Sequence, residues 1–268
     1  MELLCPLCAG VLEKKDRVWE CPNRHSFDVA RQGYVNLLPV QQKRSLQPGD
    51  TKEQVQSRRA FLDGGFYAPI AEALCDLAKD HTGPILDVGC GEGYYSSRLQ
   101  EKMGGELIGL DISKEAVRCA AGRYKNALWL CASAARLPVA DNSVGLLTSL
   151  FALTIPEEFR RVLRPDGAYI QVLAAEDHLM GLKSIIYPEL KHKEKDSVPE
   201  IPGFTLVESR ALRFDFTVEG EQVQNLLSMT PHVYRISKEG ADRLRQTTTL
   251  SDTASCVLNL YFPAGSAG

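Results

Sequence analysis

The sequence lacks any long uninterrupted apolar run and any strong excess of one charge. Charged residues break every apolar stretch well before the roughly 18 residues that a membrane span requires, so no transmembrane helix is expected. The first residues also lack the basic segment and apolar run of a secretory signal peptide. With 31 basic and 34 acidic residues, the formal charge is −3, which does not indicate a protein that binds nucleic acid through its overall charge. We therefore expect a cytoplasmic protein without a membrane partner.

The remaining composition is that of a globular protein. Of 268 residues, 44% are apolar and 24% are charged, which excludes a disordered or collagen-like chain. The length allows one large core and a smaller appendage. Eight cysteines are spread along the sequence, a pattern more typical of a reducing compartment than of a disulfide framework, so a bound metal is the first hypothesis to test.

Three of these cysteines and one histidine fall within the first 25 residues, at Cys5, Cys8, Cys21 and His25. Zinc favours four tetrahedral ligands of these types, supplied in pairs by two tight turns. Residues 11–20 between the two pairs are predicted to form a hairpin. Because four protein ligands leave no open position, the pattern predicts one structural Zn2+. The alternative is two redox-active or incidental cysteine pairs.

The sequence suggests three regions: a zinc-binding module at 1–36, a basic linker and helix at 37–66, and a catalytic domain at 67–268. The first 59 residues carry ten basic and seven acidic side chains, a balance of +3, which leaves −6 for the rest. Lys43 and Arg44 lie in the most basic part of the linker. An RNA-binding surface and a solvated linker both fit this composition. We expect Tyr67 to be the one link between the N-terminal region and the cofactor site.

Strands and helices alternate after residue 67, which predicts an α/β fold with a parallel sheet. A buried strand ends at Asp87 and runs into Gly89-Cys90-Gly91-Glu92-Gly93, which opens the next helix. Glycines permit a tight turn and the close approach of a ligand. The acidic residues Asp87 and Glu92 suit a cofactor with a cationic amino-acid end better than a pyrophosphate.

The next two loops agree with a nucleoside cofactor. Asp111 ends the second predicted strand, 24 positions after Asp87, where a carboxylate can accept hydrogen bonds from both ribose hydroxyls. The Asp87 to Gly93 segment resembles the D-x-G-x-G-x-G pattern of class I S-adenosylmethionine (SAM) methyltransferases. This resemblance implies a SAM site at the carboxyl ends of the strands, with the adenine walled by the segment after the third strand, which contains Ser133.

The whole chain resembles the bacterial 23S ribosomal RNA guanine-N1 methyltransferases of the RlmA type. The most specific motifs are the zinc ligand set, Gly33-Tyr34-Val35-Asn36-Leu37-Leu38-Pro39-Val40, Pro48-Gly49-Asp50, Arg58-Arg59-Ala60-Phe61-Leu62-Asp63, Asp87 to Tyr95, His178-Leu179-Met180 and Met229-Thr230-Pro231. The resemblance implies a class I SAM-dependent methyltransferase with a Rossmann-like, mostly parallel seven-stranded sheet and an N-terminal zinc ribbon. It also implies that Tyr67, Gly91, Glu92 and His178 line the SAM site.

By the same resemblance, the activity is methylation of guanine N1 in a hairpin of large-subunit ribosomal RNA. A homodimer is left open. The general base is not identified, since Glu92, Asp111, His178 and His232 are all available. Three segments depart from the family pattern: Gly145, Phe151-Ala152-Leu153 and Leu173-Ala174-Ala175. We expect all three to border the methyl-transfer cleft.

Two other functions are considered. A small-molecule methyltransferase, for example one acting on quinones, would share the SAM motifs but would not need a basic zinc module. A non-enzymatic zinc-ribbon RNA-binding protein would not need to retain Asp87, Gly89, Gly91 and Asp111. Methyl transfer to deproteinised ribosomal RNA discriminates among the three.

Overall fold

The computed structural model describes residues 1–39, 48–190 and 196–265. Its strands are β1 (Leu3–Leu4), β2 (Val11–Lys15), β3 (Val18–Glu20), β4 (Ser26–Asp28), β5 (Val35–Asn36), β6 (Ile85–Val88), β7 (Leu107–Asp111), β8 (Leu128–Cys131), β9 (Val144–Leu150), β10 (Leu163–Ala174), β11 (Phe204–Glu219) and β12 (Thr249–Pro263). Its helices are α1 (Lys52–Asp63), α2 (Ala68–Ala78), α3 (Tyr94–Met103), α4 (Lys114–Arg123), α5 (Pro156–Val162), α6 (Met180–Ile186), α7 (Glu221–Ser228) and α8 (Lys238–Gln246).

Strands β5 to β12 form one eight-stranded sheet in the order β11-β12-β10-β9-β6-β7-β8-β5. Every neighbouring pair from β10 across to β5 is parallel, whereas β12 is antiparallel to both of its neighbours. The chain order reverses between β6 and β9, and the carboxyl ends of strands at such a switch point bind ligands in open α/β sheets. Seven of these strands match the predicted class I sheet, and β5 is an additional edge strand.

The helices that flank this edge begin at defined caps. Thr51 caps α1, its side chain accepting from the amide of Gln54 while the Gln54 side chain accepts from the amide of Thr51. Ser113 caps α4 in the same manner by accepting from the amide of Ala116. Such caps satisfy amide groups that have no partner within the helix. They fix where both helices start, beside the ends of β6 and β7.

Apolar side chains cover both faces of the sheet. On one face Trp129 lies fully buried over Gly109, where an added Cβ would fall 2.3 Å from the indole ring. On the other face Tyr169 packs edge-on against Phe159, with ring centroids 5.1 Å apart. Because β6 and β9 are buried along their whole length, their position is fixed by packing on both sides.

The N-terminal ribbon joins the large sheet through its backbone. Strands β1 to β4 form a small antiparallel sheet, Leu3 pairs with Val139, and β5 extends the large sheet by pairing Val35 with Leu130 of β8. Because β8 runs directly into Ser133, one of the predicted cofactor residues, the expectation that Tyr67 is the one link between the N-terminal region and the cofactor site is wrong. Local sequence could not show this, because the pairing joins residues about 95 positions apart.

Two further expectations concern the linker and membranes. Lys43 and Arg44 lie outside the described residues. Within the described ranges, no helix combines the length and the apolar character needed to cross a bilayer.

Candidate cofactor site and zinc centre

A large cleft of about 2170 Å³ opens at the carboxyl ends of β6, β7, β8, β9 and β10. All eight residues predicted to bind the cofactor line this cleft, namely Tyr67, Asp87, Gly89, Gly91, Glu92, Asp111, Ser133 and His178. These residues come from five separate segments of the chain, and the topology of the sheet brings them together.

The loop after β6 is shaped by its glycines. Gly89 and Gly91 have φ values of +81° and +56°, a region that side chains with a Cβ rarely adopt. A Cβ at Gly89 would lie 2.5 Å from the Cβ of Ala152, so the loop runs directly against the segment that follows β9. At the base of the loop, Asp87 accepts hydrogen bonds from Ser96 and from Thr148, the latter at 2.8 Å. Burial raises the pKa of Asp87 to about 6 despite these two bonds.

Asp111 connects the first two loops of the site. One carboxylate oxygen accepts from the amide of Gly91 at 2.9 Å, and the other accepts from the amide of Ser113 at 2.7 Å. Each carboxylate oxygen can accept a second hydrogen bond. The half-buried Asp111 can therefore hold the glycine loop and still accept from two hydroxyl groups of a ligand in the cleft.

Glu92 is a buried carboxyl group on the same loop. Its side chain is 2% exposed, and its Oε2 has no hydrogen-bond partner among the described residues. Burial raises the pKa of Glu92 to about 7, and Arg123 opposes this shift by favouring the charged form. A buried acceptor without a partner is costly, so a donor or cation from a ligand would fit here. Glu92 and Asp111 together suit the ammonium and ribose groups of SAM.

Tyr67 and His178 approach the cleft from the other side. The Tyr67 hydroxyl lies 3.3 Å from His178 Nε2, and the amide of Ser255 donates to His178 Nδ1 at 3.1 Å. Burial raises the pKa of Tyr67 well above its usual range. Ser133 lies at the mouth, where its hydroxyl accepts from the amide of Ala135 at 3.2 Å.

Two contacts at the cleft were not predicted. Arg58 forms an ion pair with Asp50 and donates to the carbonyl of Met229, so it joins the region of α1 to the end of α7 beside the glycine loop. The Tyr187 hydroxyl lies 2.8 Å from His232 Nδ1. The motifs containing Asp50, Arg58 and Met229 are visible in the sequence, but nothing in their spacing indicates that they meet.

Gly145 lies away from the cleft, which corrects one expectation. It occupies the amino end of β9, whereas the cleft opens at the carboxyl end, and an added Cβ would fall 2.2 Å from the carbonyl oxygen of Thr82. Gly145 is therefore explained by close backbone packing. The other departures, at 151–153 and 173–175, do line the cleft.

The zinc ligand set is assembled as predicted. The ligand atoms of Cys5, Cys8, Cys21 and His25 all lie within 4.8 Å of one another. His25 Nδ1 is 3.5 Å from the sulfur atoms of both Cys5 and Cys21, and the sulfurs of Cys8 and Cys21 are 3.6 Å apart. Tetrahedral zinc with Zn–N bonds of about 2.0 Å and Zn–S bonds of about 2.3 Å places a nitrogen and a sulfur ligand about 3.5 Å apart and two sulfur ligands about 3.8 Å apart. The set fits one structural zinc ion.

Comparisons with known proteins agree with both parts of the chain. Residues 3–46 match the family model described as RlmA, N-terminal, and residues 85–167 match that of a methyltransferase domain. The 23S rRNA (guanine(748)-N(1))-methyltransferase of Streptomyces fradiae is 36% identical over 85% of this chain and 84% of its own. YxjB of Bacillus subtilis is 29% identical over 90% of each chain.

The fold is shared with more distant enzymes. One of them is an N-methyltransferase of Haemonchus contortus solved with S-adenosylhomocysteine. The superposition has a TM-score of 0.50 at 14% identity and includes 80% of this chain and 58% of that enzyme. Fold and cleft together define a class I SAM-dependent methyltransferase that also carries a structural zinc. More specifically, the chain belongs to the family of 23S ribosomal RNA guanine-N1 methyltransferases.

Proposed function

We propose that this chain transfers the methyl group of SAM to N1 of a guanine in large-subunit ribosomal RNA. The observation that carries the proposal is the presence, in one chain, of the ribbon characteristic of this family and of a cleft suited to SAM. A methyltransferase for small metabolites would not require the ribbon. A non-enzymatic RNA-binding protein would not require the intact acidic and glycine positions of the cleft.

Within the cleft, we assign SAM to the eight predicted residues. Asp111 accepts from the ribose hydroxyls, Glu92 faces a cationic or donor group, and Gly89 and Gly91 allow close approach. Ser133 borders the adenine, while Tyr67 and His178 contact the amino-acid end. Asp87 already accepts from Ser96 and Thr148, so its main effect is to hold the loop in place.

Bound SAM supplies an activated methyl group, and no covalent nucleophile is required. N1 of neutral guanine carries a proton, so the chain must align N1 with the methyl group and provide an acceptor for that proton. Cys90 is not suited to either task, because it is buried inside the loop and burial raises the pKa of its thiol well above the usual range.

The guanine must leave its stack to enter the cleft, at a cost of a few kcal/mol. We assign the compensating grip on the RNA to the N-terminal region, whose exposed basic side chains can contact phosphates. Those in the described part of the ribbon are Lys14, Lys15, Arg17, Arg24 and Arg31.

Because the proposed substrate is ribosomal RNA, we also propose a cytoplasmic location. The oligomeric state is a separate question, and light scattering with and without RNA decides between a monomer and a homodimer.

Radiolabelled SAM tests this function against its two rivals. Protein-free large-subunit RNA should become labelled, whereas a mixture of demethylated quinones should not. Asp111→Asn should lose SAM affinity by on the order of 1–3 kcal/mol, because one hydroxyl acceptor is removed. Asp166→Asn is the matched control, since this exposed acid lies near the amino end of β10, whereas the cleft opens at the carboxyl end. Label in the quinones alone, or in neither acceptor, contradicts the proposal.

A further inference from the structure

Phe151 has an unusual backbone conformation at the end of β9. Its φ is +53°, in the left-handed region that bulky side chains rarely occupy and that costs free energy. Its amide donates to the carbonyl of Val172 at 2.9 Å, so pairing with β10 continues through this residue. Strained residues held in this way occur preferentially at functional sites.

The Phe151 side chain points into the cleft instead of the core. It is 42% exposed and lines the cleft, whereas the preceding Leu150 is 7% exposed. The next residue, Ala152, touches the loop at Gly89, so Phe151 stands beside the cofactor loop. On its other side the ring faces His178, with ring centroids 6.2 Å apart and planes 28° from parallel.

This position suits recognition of a flat, uncharged ring. An exposed aromatic face contacts water instead of apolar groups, and a nucleobase removed from its stack has lost its stacking partners. Stacking the base on the aromatic ring gives each of them an apolar partner again. Aromatic side chains are common stacking platforms for unstacked bases. His178 cannot move freely to fill this role, because its two ring nitrogens lie within hydrogen-bond distance of Tyr67 and Ser255.

We propose that Phe151 is a substrate-contacting residue that stacks on the extruded guanine and holds its N1 edge toward the methyl donor. This proposal rests on the proposed function. The left-handed backbone is then the conformation that turns the ring out of the core and over the cleft, at a cost to stability.

Three variants separate stacking from a structural role. Phe151→Leu keeps an apolar side chain but removes the aromatic face, so kcat/KM for protein-free large-subunit RNA should fall about 10- to 100-fold. The dissociation constant for SAM should change less than about twofold. Phe151→Tyr retains the face and should recover kcat/KM to within about threefold of the wild type. Val207→Ala, at an exposed aliphatic residue of β11, is the control and should match the wild type.

Phe151→Asn separates the two roles through the midpoint of thermal unfolding, which should fall if the Phe151 side chain has a structural role. Asparagine tolerates the left-handed region, so the midpoint of thermal unfolding should rise while kcat/KM falls. A Leu variant with unchanged kcat/KM, or one that loses SAM affinity as strongly as activity, overturns the stacking role. A wild-type protein that does not methylate RNA contradicts the proposed function itself, and the two failures are therefore distinguishable.

Discussion

The Tyr67 hydroxyl and His178 Nε2 lie 3.3 Å apart at the edge of the cleft. Because the Ser255 amide donates to Nδ1 of the same ring, the neutral imidazole carries its proton on Nε2 and donates it to the tyrosine oxygen. The Tyr67 hydroxyl proton is then available to an acceptor in the cleft. A carboxylate at the amino-acid end of SAM is such an acceptor.

Removing that hydroxyl should weaken cofactor binding. Tyr67→Phe eliminates the donor and leaves the Nε2 proton of His178 without its acceptor, so we expect SAM affinity to fall by on the order of 1–3 kcal/mol. Calorimetry on the folded variant measures this loss. Tyr261→Phe is the control, because it also loses one tyrosine hydrogen bond, to the carbonyl of Pro199, but far from the cleft. Equal SAM affinities in the two variants would remove Tyr67 from the binding site.

Glu92 should make the unliganded protein sensitive to pH. Its pKa is raised from 4.5 to about 7 by burial, so between these values the native state keeps a proton that the unfolded state has lost. Stability from this group therefore falls as pH rises through that window. Glu92→Gln removes the ionisation, and its stability relative to the wild type should increase from pH 5 to pH 8. Denaturant unfolding without SAM checks this, and a constant difference across the range would argue against a raised pKa.

Loss of zinc should affect more than the ribbon. Cys8→Ser should reduce the metal content from one zinc per chain to none. Because β5 extends the large sheet and Leu3 pairs with Val139, thermal unfolding of the whole chain should begin at a lower temperature. Cys119→Ser, at a half-buried thiol outside the ligand set, is the control. Elemental analysis and calorimetry supply the two readouts, and a reduced wild-type protein without zinc would refute the metal site.

Substitution by alanine should destabilise the fold at Gly145 but not at Gly122. Gly145→Ala would place a Cβ 2.2 Å from the Thr82 carbonyl oxygen, and such overpacking should destabilise the fold by about 1–3 kcal/mol. Gly122 lies on α4 with nothing within 4 Å of its added Cβ, so Gly122→Ala should be neutral or stabilise by up to about 1 kcal/mol. Denaturant unfolding measures both. A tolerated alanine at Gly145 would contradict the packing explanation.

Those parts of the site whose chemistry is encoded locally can be predicted from the sequence. The zinc ligands lie in two short motifs, and Asp87 and Asp111 lie at the carboxyl ends of β6 and β7, so their common location follows from the parallel sheet. Contacts between segments distant in the chain cannot be predicted in this way. The pairing of β5 with β8, the contact of Arg58 with Asp50 and Met229, and the packing of Gly145 on Thr82 depend on tertiary contacts that no local pattern specifies. The backbone of Phe151 belongs with these, because its left-handed conformation is set by its neighbours.

Nucleoside mass spectrometry can detect methyl transfer to guanine N1 in the RNA itself. Unmodified large-subunit RNA made by transcription is incubated with the protein and SAM carrying a deuterated methyl group, then digested to nucleosides. The proposed activity predicts that the deuterated methyl group is recovered in 1-methylguanosine and that the Asp111→Asn variant yields much less of it. Recovery of the label in a different methylated nucleoside, or no label in the RNA while wild-type protein binds both zinc and SAM, would contradict the claim.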